Sequence, residues 1–158
     1  NAGGKTVMGL GDLKGAPWVA GFVFTRCGGP CPMLSANMAG LQATLPSEVR
    51  LASFTVDPEY DDPAVLERYA ATFGARPRKW VFLRLPAGDL YELVYSGFKV
   101  AMMRAPKQPP EFGVVHTTKL VLVDAAGEMR GYYDGTDVGA LKRLVRDAAA
   151  LARANGLQ

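Results

Sequence analysis

The chain has 158 residues, about the length of one ordinary domain. Hydrophobic residues make up 49% of it and charged residues 21%, which excludes a disordered chain and a collagen-like repeat. Its net charge of +3 comes from scattered residues rather than from one basic face, so the charge pattern argues against nucleic-acid binding. We therefore expect a single domain over 1–158 with no nucleic acid among its partners.

No apolar run approaches the roughly 18 residues that a membrane-spanning helix needs. The longest run, 18–24, has the length of a β-strand. Because the sequence begins at Asn1 rather than at Met, we expect a processed or trimmed chain, and any signal peptide or membrane anchor would precede Asn1.

The first half of the chain alternates between apolar strands and helices. In chain order we predict a short strand near 5–8, a buried strand over 18–25, a helix over 32–45, a buried strand over 50–56 and a helix over 62–74. The last of these has clear boundary signals, since Asp62 is a good N-cap and Pro63 suits the first helical position. Gly74 is a typical terminator of such a helix.

The second half ends in a hairpin and a long amphipathic helix. In chain order we predict a strand over 80–85, a short helical stretch over 89–95, a long loop over 97–115, hairpin strands over 119–124 and 128–133, and a helix over 137–153. Strands that alternate with helices pair in parallel with helices on both faces, and the hairpin adds antiparallel strands. With a cysteine pair after the first core strand, this order predicts an α/β, thioredoxin-like fold with a central mixed sheet flanked by helices.

Cys27 and Cys31 occupy one short loop between the first buried strand and the first helix. The amino terminus of a helix favours the thiolate over the thiol. Two thiolates placed in this way either bind a soft metal or cycle between dithiol and disulfide. A structural disulfide is a third interpretation, but so short a loop constrains the unfolded chain by only about 2 kcal/mol.

His116 is the only histidine in the chain and lies just before the predicted strand over 119–124. A lone histidine is often only a surface or hydrogen-bonded residue. In thioredoxin-like folds, however, the loop before this strand lies against the cysteine loop and normally carries a cis-proline. An imidazole in that place indicates a third ligand. Two thiolates and one imidazole suit Cu(I) or Cu(II), whereas zinc usually requires a fourth donor.

Three segments together resemble the Sco/SenC family of copper proteins for cytochrome c oxidase assembly. They are Phe-Thr-Arg-Cys-Gly-Gly-Pro-Cys-Pro over 24–32, the Val-Asp-Pro segment and following helix over 55–70, and Val-His-Thr-Thr with its strand over 115–124. Two features depart from the family pattern: Val115 stands where an acidic residue is frequent, and Gly-Gly-Pro between the cysteines is unusual. Both leave the predicted ligand types unchanged.

The resemblance implies that Cys27, Cys31 and His116 are copper ligands and that Asp57 is a nearby acidic residue that tunes the site. A carboxylate that orients a ligand imidazole is a common arrangement, although Asp-Pro after a strand is also a common turn. The implied partners are an oxidase subunit with a copper site and other copper chaperones. The implied location is extracytoplasmic, periplasmic or equivalent, with a membrane tether outside this chain.

The resemblance favours a copper metallochaperone rather than an enzyme, and three alternatives stay open. In a thiol–disulfide oxidoreductase, Cys27 would attack and Cys31 would resolve, reducing the copper-site cysteines of the oxidase. A thiol peroxidase normally has Thr-x-x-Cys, whereas Thr25 here precedes Cys27 by two residues. The third is an interaction domain with inert cysteines. Met102 and Met103 are either soft donors for Cu(I) transfer or packing and partner-contact residues.

Overall fold

The structure is a computed structural model, and it describes residues 13, 15–23, 31–55, 60–84 and 119–156. Its elements are β1 Trp18–Val23, α1 Cys31–Thr44, β2 Arg50–Thr55, α2 Pro63–Thr72, β3 Trp80–Leu83, β4 Lys119–Val123, β5 Met129–Asp134 and α3 Val138–Gly156. Each coincides with a predicted element to within a few residues. The predicted strand near 5–8, the helical stretch over 89–95 and the loop over 97–115 lie outside the described residues.

Within the described residues, five strands form one mixed sheet in the order β3-β2-β1-β4-β5. β1, β2 and β3 run parallel, and β4 is antiparallel to both β1 and β5. The carboxyl ends of β1, β2 and β3 and the amino end of β4 therefore lie at the same end of the sheet. We call this the carboxyl end of the sheet; it is marked by Val23, Thr55, Leu83 and Lys119.

All three described helices pack on one face of the sheet. α1 packs over β1, where a Cβ on Gly21 would stand 3.0 Å from Sδ of Met38. α2 packs over β3, with the rings of Tyr69 and Phe82 edge to face at 6.1 Å. α3 packs over β5, where the Tyr133 hydroxyl donates a hydrogen bond to the α3 carboxylate Asp147.

Within the described residues, the expectation of helices on both faces is met on one face. β1, β2 and β3 succeed one another in one direction across the sheet. Because β-α-β crossovers are right-handed, two crossovers in the same direction place α1 and α2 on the same face. The predicted helical stretch over 89–95 lies outside the described residues.

β1, β2, β3 and most of β4 are buried on both faces, which explains their apolar runs, whereas β5 at the edge of the sheet is partly exposed. On the helix face, the core contains Val19, Leu51, Leu66, Phe82, Leu120 and Leu144. On the other face, Phe54 packs between Trp18 and Phe22, with ring centroids 6.1 and 5.9 Å away. All three aromatic residues are buried.

The boundaries of α2 confirm the predicted capping residues. Oδ1 of Asp62 accepts a hydrogen bond from the amide of Val65 at 2.9 Å, and Pro63 is the first helical residue. Gly74 has a φ of +70°, the left-handed conformation that glycine adopts at helix ends. These caps fix the start of α2 close to the carboxyl end of the sheet.

Candidate metal site at the carboxyl end of the sheet

Cys31 is the only predicted site residue whose backbone the structure describes, and it is the first residue of α1. The other residues singled out by the sequence lie outside the described residues: Cys27, Asp57, Met102, Met103 and His116. The ligand set of two cysteines and one histidine, and the neighbouring role of Asp57, therefore stay predictions.

The described strands bring together the chain positions from which these residues follow. Cys27 comes four residues after the end of β1, Asp57 two residues after the end of β2, and His116 three residues before the start of β4. At no more than about 3.6 Å per residue, four residues span at most roughly 14 Å. Three segments distant in sequence thus connect to the sheet at one place, its carboxyl end.

The register of the strands places the ends of β1 and β2 and the start of β4 side by side. Val23 at the end of β1 is directly paired with Thr55 at the end of β2. On its other side, β1 pairs with β4 such that Ala20 faces Val121, and this antiparallel register brings the start of β4 alongside the end of β1. Neighbouring strands lie only about 4.8 Å apart.

The amino terminus of α1 supplies favourable electrostatics for a thiolate. A helix carries about half a positive charge at its amino terminus, and α1 begins at Cys31. Its first turn contains no acidic residue that would offset this charge. A helix amino terminus favours the thiolate over the thiol, and the thiolate is the form that binds metals and takes part in thiol exchange.

Ser35 and Tyr69 attach the first turns of α1 to α2. Ser35 lies one helical turn after Cys31, on the same face of α1, and is buried. Its Oγ shares a 2.9 Å hydrogen bond with the hydroxyl of Tyr69. This contact cannot be predicted from the sequence, because Tyr69 follows the apolar spacing of α2 and is indistinguishable from an ordinary core residue.

Thr55 and Asp61 form a buried polar pair at the same end of the sheet. The Thr55 hydroxyl donates to Oδ2 of Asp61 at 2.6 Å, and both residues are 0% exposed. Asp61 also precedes Asp62, the N-cap of α2. Nothing in the sequence of 57–62 tells which of its carboxylates is buried.

Several large apolar side chains near this end of the sheet are exposed. Met33, two residues after Cys31, is 57% exposed, and Tyr60, just before α2, is 47% exposed. Val138 at the start of α3 is also exposed. Met33 was not singled out by the sequence analysis, although its thioether is a soft donor.

Two further observations concern the described residues alone. In that part of the chain, no three His, Cys, Asp or Glu side chains are grouped so that they could hold a metal ion. Nor does any helix there have the length and apolar character to cross a membrane.

Three parallel strands joined by two helices, followed by an antiparallel hairpin and a last helix, define a thioredoxin-like protein, and a cysteine begins its first helix. A family model described as SCO1/SenC matches residues 2–152. The chain belongs to the SCO1/SenC family. The SCO1 protein homolog of Bacillus subtilis (strain 168) is 36% identical over 141 residues, which cover 87% of this chain and 71% of that protein.

Solved structures agree with this assignment. A SCO1/SenC family lipoprotein from Bacillus anthracis str. Ames has a TM-score of 0.79 and 31% identity, covering 92% of this chain and 86% of its own. BsSco, for which a disulfide switch was identified, is a member of the Sco family of cytochrome c oxidase assembly proteins. It has a TM-score of 0.76 and 30% identity, covering 91% of this chain and 84% of its own.

Copper is bound in structures of Sco homologues. One of them is ScoI of Bradyrhizobium japonicum, with a TM-score of 0.68 and 19% identity, covering 89% of this chain and 88% of its own. At this identity the likeness is one of fold.

Proposed function

We propose that this chain is a copper metallochaperone, a single domain over 1–158 that binds Cu(I) or Cu(II) through Cys27, Cys31 and His116. It delivers this copper to the copper-site subunit of cytochrome c oxidase during assembly. The observation that carries the proposal is the convergence of three chain segments at the carboxyl end of the sheet. Each segment leads within four residues to one of the predicted ligands or to Asp57.

The donor types support copper as the cargo. Thiolates favour Cu(I), and an imidazole nitrogen allows the same site to hold Cu(II). The partial positive charge at the start of α1 favours a thiolate at Cys31, which is the form that a metal requires. Asp57 acts from beside the ligands, where a carboxylate orients an imidazole and raises its basicity.

A carrier must release its metal to the next protein, and a three-donor site suits this task. An incoming donor from the acceptor adds to the copper before one of the three leaves, so the ion is never without ligands. The proposed acceptor is the oxidase subunit, and other copper chaperones supply the metal. Support for this partner comes from BsSco, which belongs to a family of cytochrome c oxidase assembly proteins.

We further propose that the domain works outside the cytoplasm, tethered to a membrane by a segment beyond this chain. The Bacillus anthracis relative is a lipoprotein, which supports such a tether. A cysteine pair that can cycle between dithiol and disulfide also suits an oxidising compartment, where exchange with other thiols resets it.

A titration tests the proposal. Cu(I) and Cu(II) are added separately to the fully reduced, anaerobic protein, with His116→Ala in parallel and circular dichroism as the control for folding. We expect one tightly held copper per chain and a thiolate-to-Cu(II) charge-transfer absorption that His116→Ala abolishes. Equal Cu(II) binding and absorption in His116→Ala would remove the histidine from the ligand set.

The start of α1 at Cys31 also supports a second function, a thiol–disulfide oxidoreductase. Here the Cys27 thiolate attacks a disulfide of the oxidase subunit and forms a mixed disulfide with it. The Cys31 thiolate then attacks the Cys27 sulfur and releases the partner's second thiolate. Two protein thiols lose two electrons and two protons, and the partner gains two thiols. Rapid oxidation by Cu(II) to a Cys27–Cys31 disulfide, with no copper retained, would favour this function over the metallochaperone.

A further inference from the structure

The Thr55–Asp61 pair is a buried polar contact that the proposed copper chemistry does not use directly. The hydroxyl-to-carboxylate distance of 2.6 Å is typical of a charge-assisted hydrogen bond. Burial of a carboxylate at 0% exposure is costly unless hydrogen bonds compensate it. The bond therefore holds both groups in place, and the position of the pair in the fold indicates what it fixes.

The bond connects two parts of the chain that are each fixed by other contacts. Thr55 is the last residue of β2 and is paired with Val23 of β1. Asp61 precedes Asp62, whose side chain caps α2 and whose amide donates to the carbonyl of Tyr60 at 2.9 Å. Only five residues, 56–60, separate Thr55 from Asp61, and Asp57 is one of them.

We infer that Thr55 and Asp61 are positioning residues for the proposed copper site, because their hydrogen bond ties together the two ends of the segment that carries Asp57. Joining the ends of a short segment removes most of the conformations open to it. Since Thr55 lies beside Val23, the same bond also steadies the strand end that leads to Cys27. This inference rests on the proposed function, in which Asp57 acts beside the ligands.

Three substitutions separate positioning from simple stabilisation. Thr55→Val keeps the shape of the side chain but removes the donor, and Thr55→Ser keeps the donor. Asp61→Asn keeps an acceptor oxygen and removes the charge. Gln42→Met is the matched control: it removes a buried acceptor that receives the amide of Arg76 at 2.6 Å, near the carboxyl end of α1.

The first measurement needs no copper. Amide hydrogen exchange in the metal-free protein is compared between variants at Val56, Asp57, Glu59 and Tyr60. In Thr55→Val, we expect exchange at these amides to become about tenfold faster than the loss of global stability alone would make it. In Thr55→Ser, the exchange rate should return toward the wild-type rate. Gln42→Met should show no such local excess. Equal local exchange in Thr55→Val and Gln42→Met would overturn the inference.

The second measurement uses the copper-loaded protein. We expect the Cu(II) affinity of Thr55→Val to fall about 10- to 100-fold with a shift of the charge-transfer band, since outer partners of ligand groups have effects of this size. The Cu(II) affinity of Asp61→Asn should lie between those of Thr55→Val and the wild type, and the affinity of Gln42→Met should equal that of the wild type. An unchanged band and affinity in Thr55→Val would overturn the link to copper.

The two arms keep the inference separate from the proposed function. If the wild-type chain binds no copper, the metallochaperone proposal fails, and the exchange measurement alone decides whether Thr55 and Asp61 position the segment. If the wild type binds copper while Thr55→Val behaves as Gln42→Met does, the proposed function stands and the inference fails.

Discussion

The hydroxyl of Tyr133 donates a 2.6 Å hydrogen bond to Oδ2 of Asp147 and so fastens α3 to β5. Tyr133 is 8% exposed, whereas the side chain of Asp147 is 42% exposed. We expect Tyr133→Phe to lower the free energy of unfolding by about 1–1.5 kcal/mol, because the exposed carboxylate can be hydrated when its donor is lost. Urea denaturation measures this change.

Tyr132→Phe is the control for that substitution. Tyr132 precedes Tyr133 in β5 and is 47% exposed, and its hydroxyl donates to Sδ of Met129 at 3.4 Å. We expect a change within about 0.5 kcal/mol, the usual range for surface substitutions. Equal losses in Tyr132→Phe and Tyr133→Phe would show that the buried bond contributes nothing specific.

The same pair predicts a dependence of stability on alkaline pH. Burial, and next the hydrogen bond to Asp147, raise the pKa of Tyr133 above its ordinary value of 10.0. Folding therefore favours the neutral phenol, so this contribution is complete below about pH 10 and is lost as the pH rises above that value. Unfolding measured between about pH 8 and pH 11 should lose stability more steeply in the wild type than in Tyr133→Phe. Parallel pH profiles would contradict this linkage.

Gln42 links the end of α1 to the chain that follows α2. Its Nε2 donates to the carbonyl of Gly74 at 3.0 Å, and its Oε1 accepts the amide of Arg76 at 2.6 Å. Because Gln42→Met removes both hydrogen bonds of a buried side chain, each worth about 1 kcal/mol, we expect a loss of about 2 kcal/mol in urea unfolding. Thr44→Ala, an exposed substitution in the same helix, should change stability by less than about 0.5 kcal/mol. A similar loss in both would point to helix propensity instead.

Two glycines predict stability changes of opposite sign. An added Cβ at Gly21 would meet Sδ of Met38 and Cδ2 of Leu120, each at 3.0 Å, whereas one at Gly40 would meet nothing within 4 Å. We expect Gly21→Ala to cost about 1 kcal/mol or more through overpacking beneath α1. Gly40→Ala, inside α1, should gain up to about 1 kcal/mol through helix propensity.

Thermal unfolding of the two glycine variants is the check. Each adds the same methyl group, so hydration of the unfolded chain is matched between them. A gain in stability for Gly21→Ala would mean that Met38 moves aside without cost and that the contact between α1 and β1 is loosely packed.

Much of the fold is predictable because its signals are local. Asp62, Pro63 and Gly74 determine the limits of α2 through hydrogen bonds and dihedral angles within a few residues. Continuous apolar runs indicate β1, β2 and β3, since parallel strands are buried on both faces. The arrangement of the helices is harder to predict from the sequence. The face on which α1 and α2 lie follows from the strand order, which depends on contacts between distant segments.

The candidate site divides in the same way. Spacing and the resemblance to the Sco/SenC family were enough to predict Cys27, Cys31, His116 and Asp57. The predicted thioredoxin-like fold already places the loop before β4 against the cysteine loop. The sequence does not indicate that β2, which leads to Asp57, ends in register with β1, with Val23 paired to Thr55.

Local patterns and residue types are thus enough to predict the described elements, the family and the copper ligands. Which polar residues become partners depends instead on how distant segments pack. Thr55 and Asp61 are one such pair, and Ser35 and Tyr69, 34 residues apart, are another. No sequence pattern identifies the partner of a hydroxyl or a carboxylate. The two groups come within hydrogen-bonding distance only when separate elements pack together.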